Sequence, residues 1–116
     1  MGDHNLIKPD DKKLFEIKST SGKVLRTTKG YWTKIVTIKH PSLFNKQKEI
    51  EKVLQSPEII RVSKSDKKVF LYYRKHKLNY FCAVAKHENG KGFLITAYLT
   101  NKIKEGTTIW QKQAKK

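Results

Sequence analysis

The sequence has a single cysteine, few acidic residues and no long hydrophobic run. One cysteine excludes a disulfide framework and a zinc site built from cysteines. No apolar stretch approaches the roughly 20 residues that cross a membrane, and the first residues lack the apolar segment of a signal peptide. We therefore expect a cytoplasmic protein that has no membrane segment.

The shortage of acids leaves a large positive charge. The chain has 26 lysines and arginines against 10 acids, a formal net charge of +16, and residues 59–116 contain only 3 of those acids. A charge of this size favours a polyanionic partner, most commonly a nucleic acid such as RNA. Because the excess is uneven along the chain, we expect one particular surface to face the partner.

The length of 116 residues and the apolar content of 37% suit a single core. Residues 1–12 are polar and contain Pro9, which predicts a flexible arm. Residues 112–116 contain three lysines, which predicts a basic tail. The sequence therefore predicts one domain over residues 13–111.

Two helices and an N-terminal hairpin are predicted in the first half. Strands at 14–18 and 23–26 flank a turn signal at 19–22. Residues 28–40 fit either a helix capped by Thr28 or, because 35–38 is a β-branched run, a strand; we favour the helix. Helical spacing then runs from Leu43 to the stop at Ser56-Pro57.

The second half predicts strands at 58–62, 68–75, 78–86 and 91–100, with an exposed hairpin turn at His87–Gly90. In the last strand, alternation predicts that Phe93 and Ile95 pack on the helices. The opposite, open face would then contain Thr96, Tyr98 and Thr100. The predicted fold class is α+β, with the N-terminal hairpin and two helices followed by an antiparallel four-stranded meander sheet.

Enzyme classes that need a metal or a cofactor find little support, and no cofactor is expected. The four histidines are scattered, the carboxylates are few, and there is no phosphate-binding glycine loop. The remaining His, Lys, Arg, Tyr and Thr side chains suit RNA cleavage, in which the substrate's 2′-hydroxyl is the nucleophile. The protein then needs a base, a cation and an acid, and DNA is left intact.

Several segments, taken in order, resemble a known superfamily. They are His40-Pro41, Ser56–Ile60, Val69–Arg74, Gly92–Tyr98 and Lys102–Gly106 before Trp110. Together they resemble the phage-associated families of the Barnase–EndoU–colicin–RelE superfamily. The resemblance implies a helical part followed by a four-stranded antiparallel sheet, and metal-independent RNA cleavage by a toxin or phage effector. Ser42 is a departure, since those families usually have an acid after His-Pro.

Seven residues are candidates for the site. The predicted catalytic residues are His40, Arg74, Thr96 and Tyr98, and the predicted RNA-binding residues are Tyr72, Thr100 and Lys102. An imidazole at a helix boundary suits proton transfer, and a rare arginine suits a two-pronged phosphate contact. The structural alternatives are a surface or capping role for His40 and a strand-end salt bridge for Arg74.

Two other functions remain open. One is a noncatalytic nucleic-acid-binding module that uses the same basic face of the sheet. The other is a protein that docks an acidic partner through this face. An acidic antitoxin or immunity protein, which the resemblance to toxins suggests, would fit both this hypothesis and the ribonuclease. All three hypotheses predict binding that weakens as salt is added. Only the ribonuclease predicts RNA cleavage that a single substitution abolishes.

Overall fold

The structure, a computed structural model, describes residues 12–20, 22–103 and 105–113. Most of the predicted arm at 1–12 and of the predicted tail at 112–116 lies outside these ranges. The described chain is mostly β, with 48% strand and 23% helix. It forms one mixed sheet of seven strands, whose core is closed by helical segments on one face.

The strands are β1 (Lys13–Lys18), β2 (Val24–Thr28), β3 (Ile59–Val62), β4 (Val69–His76), β5 (Asn79–Glu88), β6 (Lys91–Thr100) and β7 (Thr107–Gln111). The helical segments are α1 (Lys29–Lys34), a π-helical turn (Ile35–Lys39), a 3-10 turn (Pro41–Leu43) and α2 (Gln47–Gln55).

The strand order is β1-β2-β6-β5-β4-β3-β7, and every pair is antiparallel except β2 and β6. The predicted fold class, a four-stranded meander preceded by a separate hairpin, is therefore wrong. The hairpin joins the same sheet through the parallel β2–β6 pair, and β7 extends the other edge. Neither feature is visible as a local pattern in the sequence. The β2–β6 pair joins segments that are far apart in the chain, and β7 shows no alternation of buried and exposed residues because all five are exposed.

The helical segments follow from local signals. The Thr28 side chain accepts a hydrogen bond from the backbone N–H of Tyr31 at 3.2 Å, so the helix favoured for residues 28–40 is confirmed. Helix α2 begins at Gln47, later than predicted, because Asn45 has a positive φ of 66° that interrupts any helix. It ends before Ser56-Pro57, as predicted.

The main core lies between the helical segments and one face of the sheet. Residues that are fully or almost fully buried include Ile35, Leu43, Ile50, Val53 and Leu54 on the helical side. Burial of each such side chain stabilises the fold by roughly 1.5–3 kcal/mol. The opposite face carries a smaller cluster whose buried members all come from β4 and β5: Leu71, Tyr73, Cys82 and Val84.

A β-bulge in β6 determines which residues reach each face. Val84 pairs with Thr96 while Ala85 pairs with Leu94, so Ile95 is an extra residue. The bulge reverses the alternation, and Leu94 rather than Phe93 is completely buried in the main core. The prediction that Phe93 and Ile95 pack on the helices is therefore wrong: Ile95 packs in the cluster on the opposite face, and Phe93 is 38% exposed.

Candidate active site

A cavity of about 500 Å³ opens on the face of the sheet opposite the helices. Strands β4, β5 and β6 provide most of its surface, and the connections β2–β3, β3–β4 and β6–β7 complete it. The lining residues are His40, Ser63, Val69, Leu71, Tyr73, Val84, Thr96, Tyr98, Thr100, Lys102 and Glu105. Five of the seven predicted site residues therefore share one cavity.

His40 reaches this cavity around the edge of the sheet. Strand β2 pairs only with residues 91–93 of β6, and the 3-10 turn lies against β6. Leu43, at the end of that turn, is completely buried and anchors it. His40 stands between the π-helical and 3-10 turns, and its backbone N–H donates to the Ile35 carbonyl at 2.7 Å. Its ring centroid lies 5.7 Å from that of Tyr98.

A cross-strand row of Tyr73, Cys82 and Tyr98 forms the middle of the cavity face. Cys82 lies between the two tyrosines on the middle strand, so the three polar side chains influence one another's pKa. Burial raises the pKa of Cys82 to about 12, and burial followed by the Cys82 thiol raises the pKa of each tyrosine. All three groups therefore keep their protons at neutral pH. Cys82 is no nucleophile there, and Tyr98 acts as a hydrogen-bond donor.

The threonines and the lysine lie on either side of this row. Thr96 Oγ1 is buried and has no hydrogen-bond partner among the described residues, so an acceptor or donor on a ligand would satisfy it. Thr100 Oγ1 donates to the Lys102 carbonyl at 3.0 Å and accepts from the Lys102 N–H at 3.3 Å. These two bonds fix the backbone at Lys102, whose side chain is exposed at the cavity.

The sequence did not indicate two polar lining residues, Ser63 and Glu105, and it indicated no role for Tyr73 or for the apolar Val69, Leu71 and Val84. Glu105 is the only carboxylate in the lining. Arg61 fixes this segment, because its guanidinium donates to the Glu105 carbonyl and to Thr108 Oγ1, both at 3.0 Å. Arg61 is one of only three arginines in the chain, which was the one available signal.

Arg74 and Tyr72, predicted as a catalytic and an RNA-binding residue, do not line the cavity. Alternation along β4 directs them to the face covered by the helices. Tyr72 is completely buried, and its hydroxyl is 2.9 Å from His87 Nε2. Arg74 donates to the Ser56 carbonyl at 2.7 Å and so satisfies a backbone acceptor at the end of α2.

His87 is buried, so the prediction of an exposed turn residue is wrong. Strand β5 extends through Glu88, and only Asn89 and Gly90, with φ values of 50° and 82°, form the turn. The His87 ring stacks on Phe70 at a centroid distance of 4.0 Å. Burial and, to a lesser extent, the charge of Lys23 lower the pKa of His87 to about 4.

Two features are absent from the described ranges. Within residues 12–20, 22–103 and 105–113, no three His, Cys, Asp or Glu side chains come together as a set of metal ligands. No helix in the same ranges has the length and apolarity needed to cross a bilayer.

No protein-family model, curated protein or solved structure matches this chain. Its function must therefore be argued from the geometry and charge of the cavity itself.

Proposed function

We propose that the protein is a metal-independent ribonuclease that cleaves RNA by attack of the 2′-hydroxyl on the adjacent phosphate. The observation that supports this most strongly is the meeting of His40, Tyr98 and Lys102 at one open cavity, from three different segments. Together they supply a group that transfers protons, a hydrogen-bond donor and a cation. A reaction in which the substrate brings its own nucleophile needs no further groups.

Each side chain has a definite part in the proposed reaction. His40 takes the proton of the 2′-hydroxyl, whose oxygen bonds to phosphorus as the bond to the 5′-oxygen breaks. The products are a 2′,3′-cyclic phosphate and a 5′-hydroxyl, which receives the proton from His40. The neutral phenol of Tyr98 donates to a phosphoryl oxygen, and Lys102 offsets the charge that develops there.

The surroundings of the cavity agree with an RNA substrate. The net charge of +16 attracts a phosphate backbone, and the cavity lies on the sheet face that no helix of the described core covers. DNA has no 2′-hydroxyl, so the proposed reaction leaves DNA intact.

The test is cleavage of labelled RNA and sequence-matched DNA in the presence of EDTA. We expect the wild type to cleave only the RNA and to leave a 2′,3′-cyclic phosphate. His40→Ala removes the group that transfers the proton, so its rate should fall roughly 10²- to 10⁴-fold. His76→Ala is the matched control, because His76 packs on Phe81 outside the cavity and its loss should leave the rate unchanged.

Contamination by a trace ribonuclease would produce cleavage in all three preparations alike, so the variants are purified identically. If the folded wild type binds a broad RNA pool and cleaves none of it, the proposal is wrong. The noncatalytic nucleic-acid-binding module would then be the better description of the same surface.

A further inference from the structure

We propose that a second basic pocket, on the same face of the sheet, binds the single-stranded RNA next to the cleaved bond, with Phe93 as a stacking platform for a base. This pocket has a volume of about 420 Å³, and its lining includes Arg26, Lys86, Glu88, Lys91 and Phe93. The inference rests on the proposed function in taking RNA as the ligand.

The pocket is built around a cross-strand row. Phe93 on β6 pairs with Arg26 on β2 and with Lys86 on β5, so the aromatic ring has a cation on either side. The ring is 38% exposed. Its position depends on the bulge at Ile95, which directs Phe93 to the same face as Thr96 and Tyr98.

The platform adjoins the candidate active site. Lys86 pairs with Val69, which also lines the first cavity, and the next row of the sheet contains Leu71, Val84 and Thr96. Neighbouring rows on one face lie two residues apart, or about 7 Å. An RNA strand that leaves Tyr98 toward β2 therefore crosses Thr96 and then Phe93.

The charge of this region is available to phosphates. Glu88 pairs with Lys68 at 3.8 Å, and Glu16 pairs with Lys13. No carboxylate of the described residues forms an ion pair with Arg26, Lys86 or Lys91. Lys13 is the main cause of the lowered pKa of Glu16, and the charges of Arg26 and Lys91 lower it further. The row is therefore cationic despite the two nearby acids.

An exposed ring between two cations, neither of them in an ion pair within the described residues, matches the two chemical parts of a nucleotide. Cations bind the phosphates without regard to sequence, and an aromatic face stacks on any base. An acidic protein segment would use the cations but gain little from the ring. The arrangement therefore favours single-stranded RNA, and predicts binding that tolerates changes of sequence.

The test compares binding of two uncleavable RNAs, a dinucleotide and a dodecanucleotide of mixed sequence, both methylated at every 2′-hydroxyl. Loss of one stacked base should weaken binding of the dodecanucleotide to Phe93→Ala roughly tenfold. Binding of the dinucleotide, which fills only the active-site cavity, should not change. Phe93→Trp keeps an aromatic face and should bind at least as tightly as the wild type.

Trp110→Ala is the matched control, because Trp110 is also 38% exposed but lies on the far edge strand and pairs with Ile60 of the helix-side core. It should bind both RNAs as the wild type does. Arg26→Gln and Lys86→Gln should each reduce the slope of log affinity against log salt by about 1.

The outcomes separate this inference from the proposed function. If the wild type cleaves RNA but folded Phe93→Ala, Arg26→Gln and Lys86→Gln bind the dodecanucleotide normally, the platform is refuted and the ribonuclease stands. If no RNA is cleaved but binding of the dodecanucleotide depends on Phe93, the stacking platform is supported and the ribonuclease proposal is wrong. Equal dependence of polyglutamate binding on Phe93 would refute RNA as the ligand.

Discussion

Tyr98 serves both the packing of the sheet and the proposed chemistry. Its ring packs in the cluster on the cavity face, in the same cross-strand row as Cys82. Tyr73 shares that cluster and that row, two strands away. The two tyrosines therefore allow a structural hydroxyl to be distinguished from one that acts on the substrate.

We expect Tyr98→Phe to lower kcat about tenfold or more, because a donor to the developing phosphoryl charge is lost. Tyr73→Phe removes a hydroxyl from the same row and should leave kcat nearly unchanged. Both variants should lose only about 1 kcal/mol of unfolding free energy, the usual value of one hydrogen bond. Single-turnover cleavage and thermal unfolding measure the two effects, and equal slowing in both variants would make the Tyr98 hydroxyl structural.

His87 should make the stability depend on pH. Its pKa is about 4 in the fold and about 6.5 when unfolded, so the unfolded chain binds more protons between these values. The stability associated with neutral His87 is fully present above pH 6.5 and falls as the pH drops toward 4. The loss is about 3 kcal/mol at most, as an order of magnitude.

Urea unfolding at pH 7, 5.5 and 4 checks this expectation. His87→Gln should flatten the dependence on pH over that window, since no imidazole is left to take up the proton. His76→Gln is the control and should keep the slope of the wild type. An unchanged slope in His87→Gln would assign the dependence to other groups.

Strand β6 connects the hairpin to the rest of the sheet, and Gly92 permits that connection. Gly92 pairs with Leu25 of β2 and with His87 of β5. A Cβ atom there would lie 2.6 Å from the Lys86 carbonyl oxygen and 2.8 Å from Leu25 Cδ2. The first of these contacts is with backbone, which cannot move aside without disturbing the strand pairing.

Gly92→Ala should therefore lower the free energy of unfolding by about 1–3 kcal/mol, the usual cost of forcing an extra methyl group into a packed site. Gly90→Asn is the control, because a Cβ atom at Gly90 would meet nothing within 4 Å and asparagine tolerates its positive φ. Chemical unfolding of both variants gives the comparison, and equal stability of Gly92→Ala and the wild type would contradict the predicted clash.

The limits of sequence reasoning are visible in β4 and β6. In β4 the alternation is regular, and it correctly separates Leu71 and Tyr73 from Phe70 and Tyr72. In β6 the alternation gives the wrong faces for Phe93 and Ile95, because a bulge shifts the register. Isoleucine is common in regular strands, so the sequence does not reveal the bulge at Ile95. The alternation also puts Tyr72 and Arg74 together on one face of β4, but it does not reveal that the helices cover this face.

Across the whole molecule, the order of the strands was the least predictable feature. Helix caps, turns and strand stops depend on a few neighbouring residues, as at Thr28 and Asn89-Gly90, and can be read locally. The parallel pairing of β2 with β6 joins residues 24–26 to residues 91–93, and no short pattern specifies it. The meeting of His40 with Tyr98 likewise depends on this arrangement, although both residues were chosen from their chemistry and the family resemblance.

The β2–β6 pair also has a consequence for synthesis of the protein. The chain emerges from the ribosome with its N-terminal end first, so β2 exists well before the strand that it joins. Until residues 91–93 are made, β2 has only β1 to pair with. Tyr98 and Lys102 are made later still. We therefore expect a nascent chain to lack the cavity until β6 and Lys102 have been made, so any function of the cavity would begin only after these segments have left the ribosome.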